Sequence, residues 1–260
     1  MKLKESRLNS IEKAITVLLT FQEGRSSWGV RELSTHLGFS PATVVRVLQA
    51  LKRHDFVRQE PHTKKYRLGN IYYSFFQALQ NTNPMNRAVV PFLEALREKT
   101  RETVHFNIVE GQFRVCAYTL ESQQNLKAGM PMGNRSPLHA GASSKCLLAF
   151  SSDSFREDYI NSPLASITEN TIVNKIQLID ELKKIRKLGY ASSLGERTPG
   201  LGALSAPILN FKGKLLGSIS LAIPETRFTN SDHRSFCTET LLAVSKEASD
   251  MLGYHEPGDD

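Results

Sequence analysis

The chain has 260 residues, 40% hydrophobic and 23% charged, with a net charge of +7. That is length for two domains of ordinary size, each with its own core, and no run of about 18 apolar residues is present to cross a membrane. Charge sorts by region, with 13 Lys+Arg against 6 Asp+Glu in residues 1–81 and 20 against 20 in residues 82–260, so a polyanionic partner is expected at one end only.

The start, Met1-Lys2-Leu3-Lys4-Glu5, leads into no apolar stretch. A secretory signal is therefore not expected, and a cytoplasmic protein is. Lys2, Lys4 and Arg7 read as a solvated arm. From Ser10 to Phe21 the spacing of Ile11, Ala14, Ile15, Val17, Leu18, Leu19 and Phe21 predicts a helix with a wide buried face and Ser10 as its N-cap. Glu23 to Ser27 breaks it. A second helix over Val30–Leu37 buries Val30, Leu33 and Leu37, and Gly38 ends it.

Ser40-Pro41 opens the third helix: serine is a strong cap, and proline at the first helical position loses no hydrogen bond. It runs to about His54, with Val44, Val47, Leu48 and Leu51 inward. The outward row is Ala42, Thr43, Arg46, Gln49, Lys52 and Arg53. Small and polar residues near the start suit contact with base edges, and the bases further on suit phosphates. Ser40 belongs to the same N-terminal end. Next, Phe56–Gln59 and Lys65–Leu68 flank a turn-like Glu60–Lys64 and predict a two-stranded wing, with Lys64, Lys65 and Arg67 near its tip for phosphates or the minor groove.

Asn70 to about Gln80 is an aromatic helix, apolar on more than one face, suited to link two domains and to meet a partner subunit. Asn83 is its successor's cap, with Pro84 starting a helix to about Thr100. Strands are predicted at Val104–Val109, Phe113–Leu120, Leu126–Met130, Tyr190–Ser193, Ala203–Leu209 and Leu215–Ile223. Helices are predicted at Gly141–Phe150, Ser154–Ile160, from Asn174 to Leu188-Gly189, and over Ser231–Leu252. An α+β arrangement of an antiparallel sheet between helices follows.

Pro137 to Lys145 is rich in Gly, Ala and Ser. A helix N-terminus built this way lets an anionic ligand approach free N–H groups, and close helix–sheet packing needs the same small residues. The turn-rich Gly195–Gly202 loop suits a pocket rim. Cys116, Cys146 and Cys237 lack pairing or metal spacing and read as packed thiols of a reduced compartment, so no metal or cofactor is expected. Catalysis would pair Cys116 or Cys146 with His105 or His139, or use Lys145 as an amine. No spacing sets such a nucleophile beside a base. A small-molecule enzyme or carrier with a docking helix-turn-helix is the alternative from another class. An RNA binder would need exposed stacking aromatics in the basic third.

The ordered motifs resemble the IclR family of bacterial transcription regulators over roughly residues 8–252. They are Ser10-Ile11-Glu12-Lys13-Ala14, Ser40 to Arg46, Tyr66-Arg67-Leu68-Gly69, Pro137-Leu138-His139-Ala140 and Lys145 with Leu147 to Phe150. Ile185 to Ala191, Gly195-Glu196, Pro199-Gly200 and Ala206-Pro207-Ile208 follow in order. The resemblance implies a winged helix-turn-helix domain over residues 1–69, a linker helix over 70–82 and a GAF-like effector-binding domain of antiparallel sheet with flanking helices over 83–254. It also implies homodimers or tetramers that bind a pseudo-palindromic double-stranded operator, control catabolic genes and respond to a small-molecule effector, an organic acid or aromatic compound. Membrane contact is not implied. Carried over by position, the effector pocket includes Ala128, Ala142, Ser143, Ser193, Leu201, Ala203, Ser220 and Ala222, with Leu126, Met130 and Ser205 added by adjacency. Ser193 stands where an acidic residue is common in the family, and Ala203 where cysteine is frequent. A pocket of small apolar groups and hydroxyls, without fixed charge at those positions, is expected.

Overall fold

The computed structural model describes residues 8–22, 25–82 and 84–254. Lys2, Lys4, Arg7, Glu23-Gly24 and Asn83 lie outside the described residues. The chain divides into two compact units, Met1–Pro84 and Met85–Asp260.

The first unit runs α1 (Ser10–Thr20), α2 (Val30–Leu37), α3 (Pro41–Arg53), β1 (Val57–Gln59), β2 (Tyr66–Leu68) and α4 (Ile71–Thr82). The cap of α1 is Asn9, not Ser10. The Asn9 side chain accepts from the Ile11 and Glu12 amides, and Glu12 accepts from the Asn9 amide at 2.6 Å. This reciprocal box needs an acid three residues after the cap, and three residues after Ser10 stands Lys13, which only donates. The wide buried face of α1 is also corrected. Val17, Thr20 and Phe21 are buried, whereas Ile11, Ile15 and Leu19, spaced by four along another stripe, are 71%, 50% and 54% exposed.

Ser40 caps α3 through the Thr43 amide, and Val44, Val47, Leu48 and Leu51 are its buried residues. They pack with Val17, Trp28, Leu33, Phe39, Val57 and Tyr66 into one core. β1 and β2 pair antiparallel with Arg58 opposite Arg67. Trp28 exchanges two backbone hydrogen bonds of 2.8 Å with Tyr66, tying the hairpin to the segment before α2. Where β2 leaves for α4 the chain crosses Asp55 so closely that a Cβ on Gly69 would lie 1.7 Å from the Asp55 carbonyl oxygen. The Phe56 ring then meets Tyr72 and Phe75 of α4 at 6.0 and 5.9 Å between centroids.

The second unit contains α5 (Pro84–Thr100), β3 (Thr103–Glu110), β4 (Phe113–Leu120), β5 (Arg135–Pro137), α6 (Ala142–Phe150), α7 (Asp153–Asn161), α8 (Lys175–Leu188), β6 (Ala191–Leu194), β7 (Leu201–Leu209), β8 (Leu215–Pro224), α9 (Glu225–Phe228) and α10 (Ser231–Met251). The strands form one antiparallel sheet in the order β5-β4-β3-β8-β7-β6. Alternation gives the sheet two unlike faces. Val104, Phe106, Leu204, Ala206, Ile219 and Leu221 pack with α5 and α10. His105, Asn107, Ser205, Ser218 and Ser220 fall on the other side, which is buried and polar. Against that side stand α6, α7 and α8, with a core of their own.

The strand expected at Leu126–Met130 does not form. Gly129 and Pro131 weaken pairing there, and the segment's groups are used elsewhere: Thr103 Oγ1 donates to the Ala128 carbonyl at 2.6 Å, and Arg227 Nη2 donates to the Leu126 carbonyl at 3.1 Å. The edge strand is β5 instead, paired to β4 through Arg114 and Ser136.

Candidate functional site

In the first unit the outward row of α3 is open. Ala42, Arg46, Gln49, Lys52 and Arg53 are exposed and Thr43 is half-buried. The Ser40 and Thr43 hydroxyls share a hydrogen bond of 2.9 Å, so both are fixed at the helix start. Lys52 Nζ reaches Gln59 Oε1 at 3.5 Å. Among the described residues Arg46, Arg53, Lys64 and Arg67 have no carboxylate partner. Lys64 stands at the hairpin turn with a positive φ of 58°, exposed.

Lys65 is placed otherwise. Its Nζ lies 3.0 Å from Glu32 Oε1 and is only partly exposed. Glu32 also accepts from the Gly29 amide at 2.7 Å and from Arg25 at 3.2 Å. These donors, the amide foremost and then Lys65, hold the Glu32 carboxyl down to about 2. Arg25 stacks over Trp28 at 4.3 Å from its centroid. The bases of this unit are therefore of two kinds: the free row on α3 and the turn, and a paired group that braces α2 against the wing.

In the second unit a cavity of about 200 Å³ opens between the polar sheet face, the start of α6 and the loop before β7. It is lined by Ala128, Met130, Ala142, Ser143, Ser193, Leu201, Ala203, Ser220 and Ala222, as the sequence reading expects. Two expected residues do not reach it. Leu126 is 58% exposed, its carbonyl held by Arg227. Ser205 is fully buried behind the wall, its hydroxyl 2.8 Å from Ser220 Oγ.

His105 and Asn134, which the sequence reading did not place in a pocket, also line the cavity, as do Glu196, Arg197 and Thr198 of the loop read as a pocket rim but not named as site residues. The pocket therefore does contain fixed charge. Glu196 carries one charge, and its Oε1 lies 2.6 Å from Lys145 Nζ, whose other partner is Glu181 at 2.8 Å. The second Glu196 oxygen accepts from the Gly141 amide at 3.0 Å, and Ser193 Oγ accepts from the Ala142 amide at 2.9 Å. The Gly141 and Ala142 N–H groups at the start of α6 are thus met by the protein itself. Lys145, 1% exposed between two carboxylates, is a structural ion pair and not a free amine.

Arg197 supplies the other charge. Its Nη2 donates to Asn134 Oδ1 at 2.6 Å and its Nη1 lies 3.2 Å from Met130 Sδ. Behind Met130, on β4, Arg114 is fully buried, with Nη1 2.9 Å from the same sulfur. Burial and the neighbouring Arg197 push the Arg114 guanidinium down to about 10. Burial, then Arg114 and Arg197, push the His105 imidazole down to about 3.

Folding does set Cys116 beside His105, Sγ to Nδ1 at 3.8 Å, a pairing that spacing alone did not reveal. A β-bulge between Phe106 and Asn107 shifts the register there, so Asn107 lies opposite Cys116 while His105 lies opposite Thr119. Burial pushes the thiol up to about 11 while the imidazole goes down, so a neutral thiol faces a neutral ring and no thiolate is generated. His139 has both ring nitrogens engaged, with Tyr159 and the Ala165 carbonyl. Cys146 is fully buried.

Residues 10–61 match the IclR helix-turn-helix domain, and residues 76–250 match the C-terminal domain of the bacterial transcriptional regulator IclR. The transcriptional regulator KdgR of Dickeya chrysanthemi is 29% identical over 251 residues, covering 96% of this chain and 81% of that one. A crystal structure of an IclR-type regulator from Silicibacter sp. TM1040 superposes with a TM-score of 0.79 at 26% identity, covering 96% of this chain and 98% of the other. An IclR homologue from Microbacterium hydrocarbonoxydans, solved in complex with 4-hydroxybenzoate, shares the fold with a TM-score of 0.81 at 19% identity, over 94% and 99% of the two chains.

Proposed function

The chain belongs to the IclR family of bacterial transcriptional regulators, and from that premise we propose how its two units divide the work. It is a helix-turn-helix regulator that binds DNA and responds to an effector. The observation that carries the DNA half is the row of Arg46, Gln49, Lys52 and Arg53, exposed on α3 with no carboxylate among the described residues to neutralise it. Thr43 and Arg46 read base edges in the major groove, while Lys52, Arg53, Lys64 and Arg67 meet phosphates. Two such modules in a homodimer, or pairs of them in a tetramer, engage a pseudo-palindrome with half-sites about 34 Å apart or a multiple of it. The genes controlled are catabolic, and the protein works in the cytoplasm, where bacterial DNA lies.

The effector occupies the cavity between α6 and the polar sheet face, and shifts the DNA-competent population by binding one arrangement more tightly. A catalytic role is not part of this reading, because Cys116 and His105 are both held neutral and Lys145 is committed to two carboxylates. A gel-shift on the DNA upstream of the protein's own gene tests it, across salt concentrations and with candidate metabolites. Salt-steep, sequence-dependent binding that a metabolite alters is the expected result. Turnover of a metabolite without DNA binding would favour the enzyme alternative.

A further inference from the structure

Two cations in the second unit converge on an atom that cannot neutralise them. Arg114 Nη1 lies 2.9 Å, and Arg197 Nη1 3.2 Å, from the sulfur of Met130. A thioether is a weak acceptor without charge. Arg114 has no exposed surface, and its Nε and Nη2 have no hydrogen-bond partner among the described residues. Its remaining contacts, Asn107 Oδ1 at 3.5 Å and the Asn134 carbonyl at 3.4 Å, are long and neutral. Among the described residues no carboxylate pairs with either guanidinium. The acid that does line the cavity, Glu196, is already shared by Lys145 and the Gly141 amide. In the same wall His105 Nε2 is buried with no hydrogen-bond partner among the described residues.

Buried charge of one sign, left unpaired, costs folding free energy, and folds avoid it unless something binds there. The start of α6 is a poor competitor for an anion, since the Glu196 carboxylate and the Ser193 hydroxyl already take the Gly141 and Ala142 amides. We propose that Arg114 and Arg197 form the anion receptor of this cavity, and that a ligand carboxylate takes the place now held by the Met130 sulfur between them. A carboxylate offers two charged oxygens to two guanidinium forks. The inference rests on the effector reading of the cavity and narrows it. The ligand is a short acid whose far end presents oxygen atoms to the Ser143, Ser193 and Ser220 hydroxyls, within space for about seven water molecules. Uncharged aromatic compounds are poor ligands for this wall. Met130, on the segment between β4 and β5, moves when the acid enters.

The test uses the purified full chain without DNA, and reads its unfolding temperature in formate, acetate or glycolate against chloride at equal ionic strength. Acetamide and formamide are the neutral controls, and inorganic phosphate separates a carboxylate site from a general oxyanion site. At ten times its dissociation constant an acid should raise the Tm of the parent by about 3–6 °C. The amides should leave it unchanged, and phosphate should raise it less than the carboxylates do. Arg197→Gln and Arg114→Met should each abolish the acid-induced rise and raise the Tm measured in chloride, because each removes an uncompensated charge. A purely structural arginine would instead lower it. Acids without effect on the parent, amides as effective as acids, or an undiminished rise in Arg197→Gln overturns the proposal. Acid binding that obeys these rules while the operator complex ignores the acid leaves the receptor standing and removes the effector reading. An operator complex released by a neutral compound alone does the reverse.

Discussion

Lys145 Nζ lies 2.6 Å from Glu196 Oε1, joining the first turn of α6 to the loop that roofs the cavity. The other oxygen of that carboxylate receives the Gly141 amide, where the chain turns into α6 with a φ of 89°. One buried ion pair thus sets the helix start and the cavity rim together. Lys145→Met leaves the buried Glu196 carboxylate without a cation, its hydrogen bond from the Gly141 amide alone remaining of the two, and should destabilise the second unit by about 3–5 kcal/mol. Urea unfolding at pH 7 measures it, and a loss below 1 kcal/mol would mean that the pair is screened like a surface bridge.

Arg46 and Lys64 should fail in different ways. Arg46→Ala is expected to cost about 1–3 kcal/mol on the operator and to relax preference at one base pair, whereas Lys64→Ala should weaken all DNA about equally and reduce the salt slope by about one. Lys65→Ala should change that slope less than Lys64→Ala, since Glu32 already meets the Lys65 charge at 3.0 Å. Salt-series gel-shifts on operator and unrelated DNA decide both points.

Ser143→Phe fills the cavity from the first turn of α6. Effector response should be lost while operator affinity without effector stays within about twofold of the parent, because an exposed α3 in the other unit is untouched. A preserved response would move the effector to another site.

His105 gives the second unit an acid-side weakness. Burial and two guanidinium groups lower its pKa from the ordinary 6.5 to about 3. Below pH 6.5 the unfolded chain takes up a proton that the folded chain refuses until about pH 3. Its contribution is complete above 6.5 and declines as pH falls, by up to about 1.4 kcal/mol per pH unit. His105→Asn should flatten the parent's stability loss between pH 6 and pH 4. Parallel curves for parent and variant would show that the ring is charged in the folded state.

The helix-turn-helix was readable because its signals are local: Ser40-Pro41 at one end of α3, Gly38 at the end of α2, and four inward residues at helical spacing. Most element types along the second unit were readable for the same reason, but the strand read at Leu126–Met130 does not form and the short β5 and α9 went unread. The cap of α1 was misplaced by one residue because serine and asparagine cap equally well alone, and only the partner at Glu12 decides. What stayed hidden was contact across the sheet. Arg114 and Arg197 are 83 positions apart in the chain, and nothing local says that they meet at Met130. A buried arginine also looks like a surface one in sequence, since the burial comes from β5 and the segment before it. The one visible hint was alternation in β8, where Ser218 and Ser220 interleave with Ile219 and Leu221 and announce a polar inner face.

The contact of Phe56 with Tyr72 and Phe75 has a mechanical meaning. With Gly69 wedged against Asp55 and two rings locked on a third, α4 continues stiffly from the wing and the end of α3. Its 12 residues make an arm about 18 Å long. A tilt of roughly ten degrees at the far end swings the reading head by about 3 Å, close to the step between neighbouring base pairs. An angular change that small would put a half-site out of phase while leaving every contact inside the DNA-binding module intact.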